Sequence, residues 1–134
     1  MPQILGPFES FLQSLNRSKP IIFLFRLFLR HFPRLIPVRR VFLSRTVLAF
    51  FHPKPVYPFH VLILPRNGCK DLFHINIQDS SYLSDCYLLV PHLVKHYSLS
   101  QFGYQLILNG GFYQKFPLLH IHLISDSNPE RPKI

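Results

Sequence analysis

The run His60-Val61-Leu62-Ile63-Leu64-Pro65 is apolar throughout after its histidine and is bracketed by Pro58 and Pro65. Six residues between prolines suit a strand, and a strand without alternating polar positions must be covered on both faces. This segment is therefore expected at the centre of a sheet. The flanking sequence supplies the covers and neighbours. From Ile21 to Phe32 apolar residues recur at helical spacing, with Arg26 and Arg30 four apart on one face, until Pro33 and Pro37 stop the helix. Arg40 to Phe51 is rich in Val, Phe and Leu and suits a strand or hairpin, ending at the rigid loop of Pro53, Pro55 and Pro58. A second helix is expected from a cap at Ser80 or Ser81 to about Tyr97, kinked by Pro91. Tyr104–Asn109 and Leu118–Ile124 read as two further strands, joined by a loop containing Gly110 and Gly111. Helix, strands, helix, strands is the order of an α+β domain with an antiparallel sheet.

At 134 residues the chain holds one core. Residues 1–19, with Pro2, Gly6, Pro7 and a polar stretch, read as an N-terminal extension, 20–126 as the domain and 127–134 as a tail. Fifteen Lys and Arg against six carboxylates give a net charge of +9, and no acid lies between Glu9 and Asp71. A basic N-terminal half of this kind attracts polyanions, RNA or an anionic membrane surface, or an acidic partner in a larger complex. Cys69 and Cys86 are too few for a disulfide framework and fit reduced thiols in an intracellular setting, cytoplasmic or organellar. The most apolar early run, Pro20–Leu29, carries an arginine and is about half the roughly twenty residues of a bilayer span, so neither a transmembrane helix nor a secretory signal is expected.

His120-Ile121-His122 puts two imidazoles at i and i+2 in an apolar strand, so both project from one face. Three uses compete: metal ligation, which would need further ligands such as Cys69 or His60; a nucleophile with its partner, directed at phosphate; or two core histidines satisfied by backbone.

The surrounding motifs narrow the choice. Ile36-Pro37, a strand ending in Ala49-Phe50, a proline-punctuated loop, His60, an apolar strand and Pro65-Arg66 stand in the order found in the first half of the histidine-triad (HIT) family. Gly103-Tyr104-Gln105-Leu106-Ile107-Leu108-Asn109-Gly110-Gly111, followed by the histidine motif, resembles its second half. The resemblance covers about residues 27–125. It implies a five-stranded antiparallel sheet with an N-terminal helix and a second helix, commonly a homodimer. It also implies a nucleoside monophosphate, or a nucleotide conjugate as substrate, held between the sheet edge and the N-terminal helix. His120 would attack the α-phosphorus to form a nucleotidyl-histidine, His122 would donate to a phosphoryl oxygen, and His60 matches a separate family histidine. Asn109, Gln114, Lys115, Phe28, Phe50 and His52 fall at nucleotide-binding positions. No metal and no cofactor is implied.

Departures from the family pattern bear on activity. Leu118 stands in place of the first motif histidine, so no imidazole there can hold the His120 ring and its tautomer. His52 replaces the acid that accepts from ribose hydroxyls, Lys115 replaces a serine, and Ser125-Asp126 replaces a glycine pair. Two functions follow: a nucleotide hydrolase, phosphoramidase or nucleotidyl transferase acting through His120, or a catalytically degenerate descendant of the fold serving as a basic binding or structural subunit.

Overall fold

The computed structural model describes residues 19–127. The expected extension lies outside them except for Lys19, which begins a helix, and of the expected tail only Ser127 is described. The elements are α1 (Lys19–His31), β1 (Arg40–Leu43), β2 (Val47–Phe51), β3 (Phe59–Pro65), α2 (Ser80–His96), β4 (Gln105–Leu108) and β5 (Ile121–Ser125), with short 3₁₀ turns between them. All five strands join one antiparallel sheet in the order β1-β2-β3-β5-β4. The α+β reading and the central place of the proline-bounded run are both borne out. Every residue of β3 is buried.

Alternation along β2, β3 and β5 sorts side chains onto two faces. Val47, Ala49, Phe59, Val61, Ile63, Ile121 and Leu123 pack with Cys86, Leu89, Val90 and Leu93 of α2. Leu48, Phe50, Leu62 and Leu64 pack on the opposite face with Leu29 of α1, Ile36 and Leu118. His52, His60 and His122 fall on that second face by the same alternation, so α1 and the histidines share one side of the sheet.

Arg66 fastens α1 to the sheet. Its guanidinium donates to the carbonyls of Leu29 and Arg30, which end the helix, and to Ser44 O between β1 and β2. Gly68, with φ +69°, lies under Arg26, whose Nε donates to the Gly68 carbonyl at 3.0 Å. A Cβ there would stand 2.5 Å from Arg26 Cγ, so both the backbone conformation and the close approach call for glycine.

One local expectation is corrected. α2 is not capped by Ser80 or Ser81. A 3₁₀ turn led by Asn76 precedes it, in a capping box with Asp79, and the Ser80 hydroxyl donates back to Ile77 O. The helix includes the exposed Pro91 and continues beyond it to His96. Among the described residues no helix is long and apolar enough to cross a membrane.

Candidate active site

Adjacent strands bring four imidazoles together. His52 follows β2, and its N–H donates to the carbonyl of His60 on β3, continuing the β2–β3 ladder by one rung. Their rings stack with centroids 4.5 Å apart. His122 on β5 sits opposite Leu62, diagonal to His60, with ring centroids 5.1 Å apart. His120 lies one residue before β5, its ring 4.9 Å from that of His122. Phe116, stacked edge-on against Phe25 of α1, adjoins His120 at 6.2 Å.

Hydrogen bonds assign the protons. Nδ1 of His60 accepts the Val56 N–H at 3.3 Å, so the proton of the neutral ring is on Nε2. That Nε2–H donates to His122 Nδ1 at 2.9 Å, which puts the His122 proton on its own Nε2. His52 Nδ1 accepts the Lys54 N–H at 3.0 Å and so carries its proton on Nε2 when neutral. His120 is the opposite tautomer. Its Nδ1–H donates to the Leu118 carbonyl at 2.8 Å, leaving the lone pair on Nε2.

Burial favours the neutral form of His60, His122 and His120. Desolvation, reinforced by the neighbouring His52 and His120, brings His60 down to about 4. Desolvation, then His120, His60 and His52, brings His122 down to about 3. Desolvation also lowers His120, against the opposing pull of its bond to Leu118.

Leu118 meets His120 through its backbone. Its side chain is buried in the apolar cluster under α1, while its backbone carbonyl fixes the ring and tautomer of His120. The ring is held without an imidazole at that position.

The other expected site residues are distributed around this cluster. Asn109 is half-buried directly after β4; carrying the Leu108↔Ile121 register one rung further sets it opposite His120. Phe50 is buried and Phe28 half-buried in the α1-side cluster, where both contribute packing. The Gln114 carboxamide donates to the carbonyls of Lys70 and Phe116, tying the loop after β4 to the loop after β3. Lys115 is exposed, its ammonium 3.4 Å from Phe112 O. Sequence reasoning missed Phe116 and the Leu118 carbonyl, because a packing aromatic in a loop and a backbone acceptor carry no motif. Among the described residues no group of three His, Cys, Asp or Glu side chains is arranged to hold a metal ion. A wide groove of about 1360 Å³ opens between the β1–β2 hairpin and α2, but none of the four histidines lines it. Chemistry, not volume, marks the site.

A buried imidazole set on one face of a five-stranded antiparallel sheet, beside an N-terminal helix, defines a histidine-triad type of domain. Comparison with known proteins agrees: the family model described as the HIT domain matches residues 34–128. The chain belongs to the HIT family. It is 30% identical over 93 residues to an uncharacterized HIT-like protein of Buchnera aphidicola subsp. Acyrthosiphon pisum, covering 68% of this chain and 82% of that one. The crystal structure of a HIT family hydrolase from Legionella pneumophila superposes with a TM-score of 0.66 at 30% identity, covering 73% of this chain and 89% of that one. A histidine triad nucleotide-binding protein from Candida albicans superposes with a TM-score of 0.65 at 26% identity, covering 76% and 75%.

Proposed function

We infer that this chain is a nucleotide hydrolase or phosphoramidase in which His120 attacks the α-phosphorus of a nucleotide conjugate. The observation carrying this reading is the tautomer of His120, whose Nδ1–H is engaged by Leu118 O so that Nε2 holds the lone pair. A neutral imidazole in that state is a competent nucleophile near pH 7. The Nε2 lone pair forms the bond to phosphorus, and the bond to the leaving amine or oxygen breaks, the departing group keeping that electron pair and taking a proton from solvent, to which the water of the second step later returns one. Water then attacks the same phosphorus, the P–N bond to His120 breaks, and nucleoside monophosphate leaves with the lone pair restored to Nε2.

Supporting roles follow from the same proton assignments. His122 presents its Nε2–H as a donor to a phosphoryl oxygen, where developing negative charge makes the bond stronger. His60 is a positioning residue, acting through the bond that keeps His122 in that tautomer. Asn109 contributes at the phosphate region, and no cofactor enters the scheme. A homodimer is part of this reading. β4 is an edge strand, and Leu106 on it, Tyr104 before it and Leu88 on α2 are exposed apolar side chains that a second copy would cover.

The test is hydrolysis of a nucleoside phosphoramidate by the full chain and by His120→Ala, with intact-mass detection of the nucleotidyl-histidine on wild type. Loss of both turnover and adduct in the variant, with unchanged circular dichroism, supports the reading. Equal turnover by the two proteins overturns it. Nucleoside monophosphate binding undetectable at millimolar concentration would instead favour a degenerate binding or structural subunit.

A further inference from the structure

The outer face of α1 is apolar where a surface helix is ordinarily polar. Leu29 is fully buried against the sheet, and Phe25 and Phe28 pack beside it. On the opposite side Phe23 is 64% exposed, and Leu24 and Leu27 are also exposed. At 100° per residue Lys19, Phe23, Leu27 and Arg30 form one line along the helix, with Leu24 and His31 beside it. Beyond the helix end Phe32 and Leu35 are exposed as well, with Arg34 between them in sequence. A helix apolar on both sides needs a second cover.

We propose that this face docks on an anionic lipid surface. Charge chooses the occupant. Lys19, Arg30 and Arg34 are exposed at and beyond the two ends of the apolar stripe, and no carboxylate occurs between Glu9 and Asp71. Not every base in the region is available for this: Arg26 donates to Gly68 O, and Arg39 lies over the Phe51 ring at 4.7 Å. The remaining cations stand next to branched aliphatic side chains. Phe23 and Phe32 could stack on bases as readily as they insert at the headgroup boundary, so the leucines decide: Leu24, Leu27 and Leu35 partition into the acyl boundary and offer no stacking face to a nucleobase. Cations flanking Phe and Leu, on a helix too short to span, are the composition of a segment that lies in the headgroup plane. The chain's own residues 1–18 would bring one carboxylate, Glu9, to three cations, and so match the charge poorly.

The experiment is co-sedimentation of the full chain with phosphatidylcholine vesicles, with and without phosphatidylserine, at two salt concentrations. The wild type is expected to sediment with the phosphatidylserine vesicles and to be released as salt rises. Phe23→Ser with Leu27→Ser, which removes side chains 64% and 37% exposed, should weaken partition on the order of tenfold. Arg30→Glu with Arg34→Glu should weaken it to a similar degree, on the order of tenfold or more, and flatten the salt dependence. Both variants should stay folded, their melting temperatures lowered only by the few degrees that two serines, or an acid in the last turn, cost a surface helix. No vesicle binding by wild type overturns the proposal, as does binding unaffected by the serine variant. Binding of an RNA homopolymer in preference to vesicles, lost only with the arginines, assigns the face to nucleic acid and also overturns it. A large fall in melting temperature for the serine variant, without vesicle binding by wild type, assigns the cover to residues 1–18 with the same consequence.

Discussion

His60 Nε2 lies 2.9 Å from His122 Nδ1, and because His60 Nδ1 already accepts the Val56 N–H, the shared proton belongs to His60. The orientation of His122 is thus set by a histidine 62 positions earlier in the chain and by the loop that precedes β3. Replacing His60 with alanine removes the donor but leaves the nucleophile and its carbonyl anchor in place. Turnover should fall about tenfold, with KM little changed, because ring orientation is lost and binding surface is not. Nitrogen NMR of the imidazoles should show His122 passing from one tautomer to a mixture. A purely structural role for His60 would lower the melting temperature without changing that spectrum.

The lowered pKa values fix the sign of the pH dependence. In the folded chain His60 and His122 take up protons only near about 4 and about 3, whereas in the unfolded chain they do so near 6.5. Between those limits the unfolded state binds more protons, so stability falls as pH drops from 6.5 toward 4 and is fully present above 6.5. Denaturant titrations at pH 7.5, 6 and 5 (about one to two steps apart across the window) should show the midpoint decreasing in that order. Turnover should persist below pH 6.5, since desolvation keeps His120 neutral there as well. An acid limb at the ordinary histidine value would contradict the buried geometry.

Gly68 offers a stability test away from the histidines. Its positive φ and the Arg26 side chain against it both oppose a Cβ. Gly68→Ala should destabilise by about 2 kcal/mol, combining left-handed backbone strain with displacement of Arg26 from the Gly68 carbonyl. Thermal unfolding measures this, and an unchanged midpoint would mean that Arg26 swings aside without cost.

Much of this architecture was legible because hydrophobic patterning speaks directly to sheet position. The β3 run announced a central strand, the prolines at 33, 37, 53, 55 and 58 marked the breaks, and His120 and His122 announced a shared face. The proximity of His52 and His60 was not legible from spacing, since it depends on the β2–β3 register that the intervening proline loop imposes. Nor was the anchor of His120. A side-chain pattern registers the loss of an imidazole at Leu118 but is blind to a backbone carbonyl, which every residue carries. The cap of α2 was misplaced for a similar reason: Asn76 and Asp79 satisfy each other reciprocally, and that closure is a property of the turn, not of the serines that follow it.

The carbonyl anchor leads to a prediction about restoring the missing histidine. Leu118→His keeps the backbone oxygen that orients His120, so it supplies nothing that the ring lacks. What it removes is a side chain only 1% exposed, packed in the cluster with Leu29, Phe50, Leu62 and Leu64. An imidazole there loses apolar contact and must find a partner for its N–H, at a combined cost of roughly 3 kcal/mol. Phosphoramidate turnover per folded molecule should remain within about twofold of wild type, while the melting temperature drops by roughly 12–24 °C, at about 4–8 °C for each kcal/mol in a small domain. Measuring both on the same preparation separates the two readings of this position. A tenfold or greater gain in turnover would show that the side chain, and not the carbonyl, limits the orientation of His120.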